Sequence, residues 1–126
     1  MATMSVEIIR PYGPLPDDGR ARVLVNRLWP RGVSKGTLEP FEWMQDIAPS
    51  TELRQWYGHD PKRADAFRSR YRTELETSPA RECLVRLRSL ATEPGLILIT
   101  ATREVELSEA WVLCELLLKR VSKRPR

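Results

Sequence analysis

The sequence predicts an α/β domain, a small and mostly parallel β-sheet covered by helices in a single layered unit. Three observations predict it. Leu96-Ile97-Leu98-Ile99-Thr100 is an unbroken apolar run of strand length, the pattern of a strand buried on both faces. The stretch between positions 50 and 95 repeats its apolar residues at helical spacing, with cap and breaker residues between the repeats. Strands on either side of such a helical block pair in parallel, because connections of that length cross over. At 126 residues the chain is one domain, 1–126, with its core at about 5–121 and a basic tail at 122–126.

Ser5 to Arg10 alternates in part and is rich in β-branched residues, which predicts the first strand. Pro11 to Gly19, with its prolines, glycines and Asp17-Asp18, predicts a loop. Arg22 to Leu28 contains Val23-Leu24-Val25 and predicts a second, buried strand that stops at Trp29-Pro30-Arg31-Gly32, where Pro30 removes a ladder donor. Pro40 to Gln45 is read as a short helix with proline at its first position. Ser50 as N-cap and Gly58 as C′ residue bound a two-turn helix with Leu53, Trp56 and Tyr57 on one face. Asp60-Pro61 opens the next, with the stripe Ala64, Phe67, Tyr71 and Leu75. Ser78-Pro79 opens a third, with Cys83, Leu84, Leu87, Leu90 and Ala91. After Gly95 comes the apolar strand, and then a largely buried helix from about Ser108 to Val121.

Composition excludes several classes. A hydrophobic fraction of 41% is too high for a disordered chain. No run reaches the roughly 18 apolar residues of a membrane span, and Ala110–Leu118 is broken by Glu115. The opening residues have no basic segment followed by an apolar one, so a cytoplasmic protein is expected. One histidine and two cysteines do not fill a four-ligand zinc site, and Cys83 and Cys114 read as reduced core thiols. There is no glycine-rich phosphate loop, paired-cysteine motif or serine elbow, so no metal, nucleotide or other cofactor is assigned.

Charge is more informative by position than by sum. Of 21 cations 17 are arginine, whose planar fork suits carboxylate and phosphate. Residues 1–60 carry 7 basic and 8 acidic side chains, and residues 61–126 carry 14 and 9. In an open parallel sheet, ligands bind beyond the carboxyl ends of the strands. At those predicted ends stand Arg10, Arg27, Arg31 and Arg103, with a helix start near Ser108 that also favours an anion. Trp29, between two arginines, is a candidate to stack on a ligand, whereas Trp43, Trp56 and Trp111 fall in helical patterns and read as core. Ser50 begins a helix where a phosphate can sit, although N-capping alone explains it. His59 titrates near neutrality from a loop and is the weak catalytic candidate, with Asp60 or Asp46 as partner. Arg68 borders the apolar stripe of its helix and either snorkels over the core or reaches the cleft.

Four ordered strings carry a family resemblance. They are Arg27-Leu28-Trp29-Pro30-Arg31-Gly32, Ile47 to Arg54, Trp56-Tyr57-Gly58-His59-Asp60-Pro61 and Phe67-Arg68-Ser69-Arg70-Tyr71. Together they resemble the YeaO-like branch of the domain-of-unknown-function 488 family of small bacterial proteins, from about Val6 to Leu118. The resemblance implies a single cytosolic α/β domain of no settled activity. Some relatives carry a transcriptional-regulator label, but no helix-turn-helix with a wing hairpin stands in this chain. Family members are usually acidic where this chain has Asn26, and carry a His-Asn-type pair where it has Leu107-Ser108-Glu109. Those departures imply a degenerate enzyme in which anion binding outlasts catalysis. The ranked expectations are therefore a small anionic ligand in an arginine-lined cleft, then nucleic acid on the basic second half, then an interaction subunit; oligomeric state is left open.

Overall fold

In a computed structural model, which describes residues 4–122 and side chains as far as Leu118, four parallel strands form one sheet in the order β1-β4-β2-β3. They are β1 (Val6–Ile9), β2 (Ala21–Leu24), β3 (Glu42–Trp43) and β4 (Leu96–Ile99), joined by α1 (Lys35–Leu38), α2 (Thr51–Tyr57), α3 (Ala64–Glu74), α4 (Ala80–Leu90) and α5 (Glu109–Ser122). β4 lies between β1 and β2, pairing Ile8 with Leu98 on one side and Val23 with Leu98 on the other. All four of its residues are buried, which is why its sequence shows no polar alternation.

The two faces of the sheet are covered unequally. On one, Val23, Val25, Leu96 and Leu98 pack with Leu53, Phe67, Tyr71, Leu84, Leu87, Leu113 and Leu117 from α2 to α5. On the other, Leu24, Ile97 and Ile99 meet Leu38 of α1 and the loop residues Leu15, Trp29 and Val33, with Phe41 and Trp43 beside them. The expected cover of helices thus holds for one face, while loops and a single turn of helix close the other.

Three local expectations need correction. The segment Pro40–Gln45 is not a helix. Phe41 and Trp43 point together under Trp29, with ring centroids 5.6 and 5.3 Å away, while Glu42 reaches the other way to Arg86 at 2.7 Å. That is a period of two, and it places β3 on the sheet edge; Trp43 is accordingly a strand residue. The second strand is shorter than Arg22–Leu28, because its partner β4 ends at Ile99. Val25 N–H still donates to Ile99 O at 3.1 Å, and then the chain leaves the sheet. The predicted helix opening at Asp60-Pro61 is first a 3-10 turn over Pro61–Arg63, with Asp60 accepting from Lys62 N–H.

The caps of α2 and α5 follow the sequence, whereas Ser78 leaves α4 without a side-chain cap and donates to Glu82 at 2.7 Å. Ser50 Oγ accepts from Leu53 N–H, and Gly58 ends α2 in the left-handed region at φ 51°. α5 starts one residue after Ser108, whose Oγ accepts from Trp111 N–H. The 122–126 tail lies outside the described residues apart from Ser122, the last residue of α5. Among the described residues no helix is long and apolar enough to cross a membrane.

Candidate functional site

Parallel pairing sends β1, β2 and β4 out of the sheet at the same end, and the chain segments that leave there surround a cleft of about 400 Å³. The exit of β2 contributes Asn26 to Arg31, that of β4 contributes Ala101 and Thr102, and Tyr12 follows β1. The helical layer supplies Arg54 and Tyr57 from α2, His59 from the next loop, Phe67 from α3 and Glu109 from α5.

At the base of the cleft the polar groups are linked. Asn26 accepts from Ala101 N–H through Oδ1 at 2.8 Å and donates to Glu109 Oε2 through Nδ2 at 3.0 Å. One amide therefore ties the ends of β2 and β4 to the start of α5. Glu109 is 7% exposed. Its removal from water pushes the carboxyl up to about 7, against the opposing pull of its own backbone N–H, the Arg54 charge and the Asn26 amide. Tyr71, fully buried behind it, donates to Ile47 O, and burial with the nearby Glu109 holds its phenol well above the ordinary range.

The arginines of the cleft are incompletely bonded. Arg27 donates from Nη2 to Ala48 O at 3.2 Å, but among the described residues its buried Nε has no partner, and the buried Nε of Arg54 has none either. Arg31 is exposed at the mouth, where its carbonyl accepts from Tyr12 Oη at 3.2 Å.

The aromatic wall is built by stacking. Tyr57 lies 4.0 Å from Phe67 at 9°, and His59 meets Tyr57 edge-on at 5.5 Å. His59 follows Gly58 in the left-handed region at φ 55°, a backbone that costs a non-glycine residue on the order of 1 kcal/mol. Two such residues in succession turn the chain back along α2 and bring the imidazole to the mouth. Loss of water against Tyr57 holds it below its ordinary range.

The structure brings together Arg27, Trp29, Arg31 and His59 of the residues singled out in the sequence. Trp29 also holds structure, donating its indole N–H to Val33 O at 2.6 Å and packing on Phe41 and Trp43. Ser50, Arg68 and Arg103 do not line the cleft. Ser50 Oγ caps α2 and donates to Glu74 at 2.6 Å. Arg68 bridges Asp65 and Glu106 O, tying α3 to the turn before α5. Arg103 is exposed one residue past the lining, and Arg10, donating to Ala101 O and lying over the Tyr12 ring, braces the rim from behind. His59 makes no hydrogen bond to Asp60, whose carboxylate caps the next turn. Cys83 and Cys114 are free, half-buried thiols that burial keeps protonated, and neither lines the cleft.

Sequence reasoning missed Arg54, Glu109 and the bridging part of Asn26. Arg54 had one usable signal: it lies one residue after Leu53 and three before Tyr57, on the inner side of α2. A glutamate in the first turn of a helix, directly before the apolar run Ala110–Cys114, was the signal for Glu109.

The family described as the inactive DUF488-N3 subclade matches residues 5–125. The chain is 47% identical over 113 residues to the uncharacterized protein Rv3073c of Mycobacterium tuberculosis and to Mb3100c of Mycobacterium bovis, covering 89% of this chain and 92% of each relative. It is 33% identical over 112 residues to the uncharacterized protein YeaO of Escherichia coli, covering 89% and 96% of the two chains. No solved structure matches it. The cleft-forming segments all fall within the matched residues, and the chain belongs to the DUF488 family, among its YeaO-like members.

Proposed function

We propose that this domain binds a small anionic molecule, carboxylated or phosphorylated, in the cleft at the carboxyl ends of its strands, and holds it without transforming it. One observation carries the reading. Arg27 and Arg54 line the same cleft, and each keeps a buried Nε–H with no acceptor among the described residues, as does Arg10 behind the rim. A buried donor without a partner costs roughly 1–3 kcal/mol, and an oxyanion is the ligand that satisfies guanidinium donors bidentately. Arg31 at the mouth adds a third positive charge that draws an anion inward. The subclade's description as inactive, together with a lining that contains no serine or cysteine, supports binding over turnover.

Thermal-shift titration with inorganic phosphate, pyrophosphate, oxalate and citrate tests this. A binder present at a hundredfold excess over its Kd stabilises the fold by about 2.7 kcal/mol, and R54Q or R27Q removes that gain. Absence of a shift with every anion, or equal shifts in the variants, overturns the reading. The nucleic-acid alternative has its own signature, a steep loss of affinity with added salt.

A further inference from the structure

We propose that the cleft takes up its anion together with one proton, which resides on the Glu109 carboxyl; this rests on the anion-binding reading above. Glu109 is the acidic member of a cleft whose other strongly charged lining residues are Arg27, Arg31 and Arg54. Its carboxyl is buried, and among the described residues no cation lies within 4.0 Å of it. Among the described residues its hydrogen-bond donors are neutral, the Asn26 amide and its own backbone N–H.

An ionised carboxylate in that position opposes any anion that enters, with little water to screen the repulsion. A protonated one reverses the effect. Its O–H becomes a donor, so the carboxyl and the arginines together present donors to an oxyanion. The proton is drawn from solvent when the anion binds and returns to solvent when it leaves, so charge is conserved.

The groups around Glu109 leave it as the titrating member above pH 6.5. Arg54 faces it from α2, Tyr71 from α3 and Asn26 from the exit of β2, while Tyr57 and Arg27 share the cleft lining. The arginines stay charged, and burial keeps both tyrosine phenols protonated. His59 sits at the mouth with its imidazole held below the ordinary range by loss of water. With the free-cleft carboxyl raised to about 7, loss of the bound proton weakens binding only on the alkaline side.

Isothermal titration with sulfate and with oxalate is the test, since neither probe titrates between about pH 6.5 and about pH 8.5. One-proton linkage predicts affinity roughly 20-fold weaker at the alkaline end. It also predicts an uptake near one proton per anion at about pH 8, read from heats in buffers of different ionisation enthalpy. E109Q is expected to bind with a flat profile near the wild-type acidic affinity, and H59N to keep the wild-type slope. Binding that is flat in the wild type, or equally sloped in E109Q, overturns the proposal while leaving the anion site standing. No binding of either probe at any pH overturns both. The proton count on the unaltered chain separates these outcomes even if E109Q does not fold.

Discussion

The two ends of the sheet use the same residue for opposite purposes. At the amino end of β2, Arg22 donates to Pro16 O, Leu38 O and Glu39 O at 2.8 to 2.9 Å, and Arg20 is clasped by Asp18 and Glu7. Those guanidinium groups stitch the loop after β1 and the end of α1 to the sheet. At the carboxyl end, Arg27 and Arg54 leave buried donors unused, and Glu109 is buried without an ion-pair partner among the described residues. Among the described residues, polar capacity is thus left unsatisfied at the end where the anion site is proposed and is satisfied at the other.

The largest test of this contrast is the pH dependence of stability. Glu109 has a folded value near 7 against 4.5 in the unfolded chain, so the folded state holds the proton more tightly. The stability that Glu109 contributes is then greatest at acid pH and falls as pH rises from about 4.5 to about 7, by about 3 kcal/mol in all. Chemical denaturation of E109Q is expected to lose this fall with pH and to exceed the wild type above neutrality, since its amide oxygen still accepts from Asn26. Next comes Arg22→Ala, expected to cost about 2 kcal/mol through its three lost carbonyl partners, with the anion response unchanged. A loss of anion binding in that variant would break the division between the two ends.

Arg54→Gln is the converse. Anion affinity is expected to fall tenfold or more, about 1.4 kcal/mol, while the ligand-free melting midpoint holds or rises because a half-buried cation with an unpaired Nε–H has been removed. Smallest of all, Glu7→Gln removes one exposed partner of Arg20, and urea denaturation should detect less than about 0.5 kcal/mol.

Much of the fold was legible because single residues dictate it locally. Leu96–Ile99 announces a doubly covered strand, and Ser50 and Gly58 bound α2 as cap chemistry requires. The miss at Pro40–Gln45 has a physical cause. A strand of two residues gives period-two patterning almost no length in which to show itself, and Phe41 and Trp43 reveal it only once Trp29 is placed above them. Of the site, Arg27, Arg31, Trp29 and His59 could be placed because they follow predicted element ends. Ser50, Arg68 and Arg103 were grouped with them on local cues, but their positions depend on the packing of α3 and on how far the β4 exit runs. Glu109 and Arg54 sit inside helices, and only tertiary packing turns them toward a shared cleft.

The strand order carries a consequence for how this chain is made. Among the described strands β1 pairs only with β4, and β2 relies on β4 for its longer ladder, yet β4 lies some 90 residues after β1. On a ribosome the first strand has no hydrogen-bonding partner in the sheet until residues 96–99 have emerged, by which time three-quarters of the chain is exposed. Closing the sheet is therefore a late, long-range event, of the kind that slows folding and prolongs exposure of apolar edges. The central strand is in this sense the keystone laid last, and truncations that stop before Leu96 leave β1 with no sheet to join.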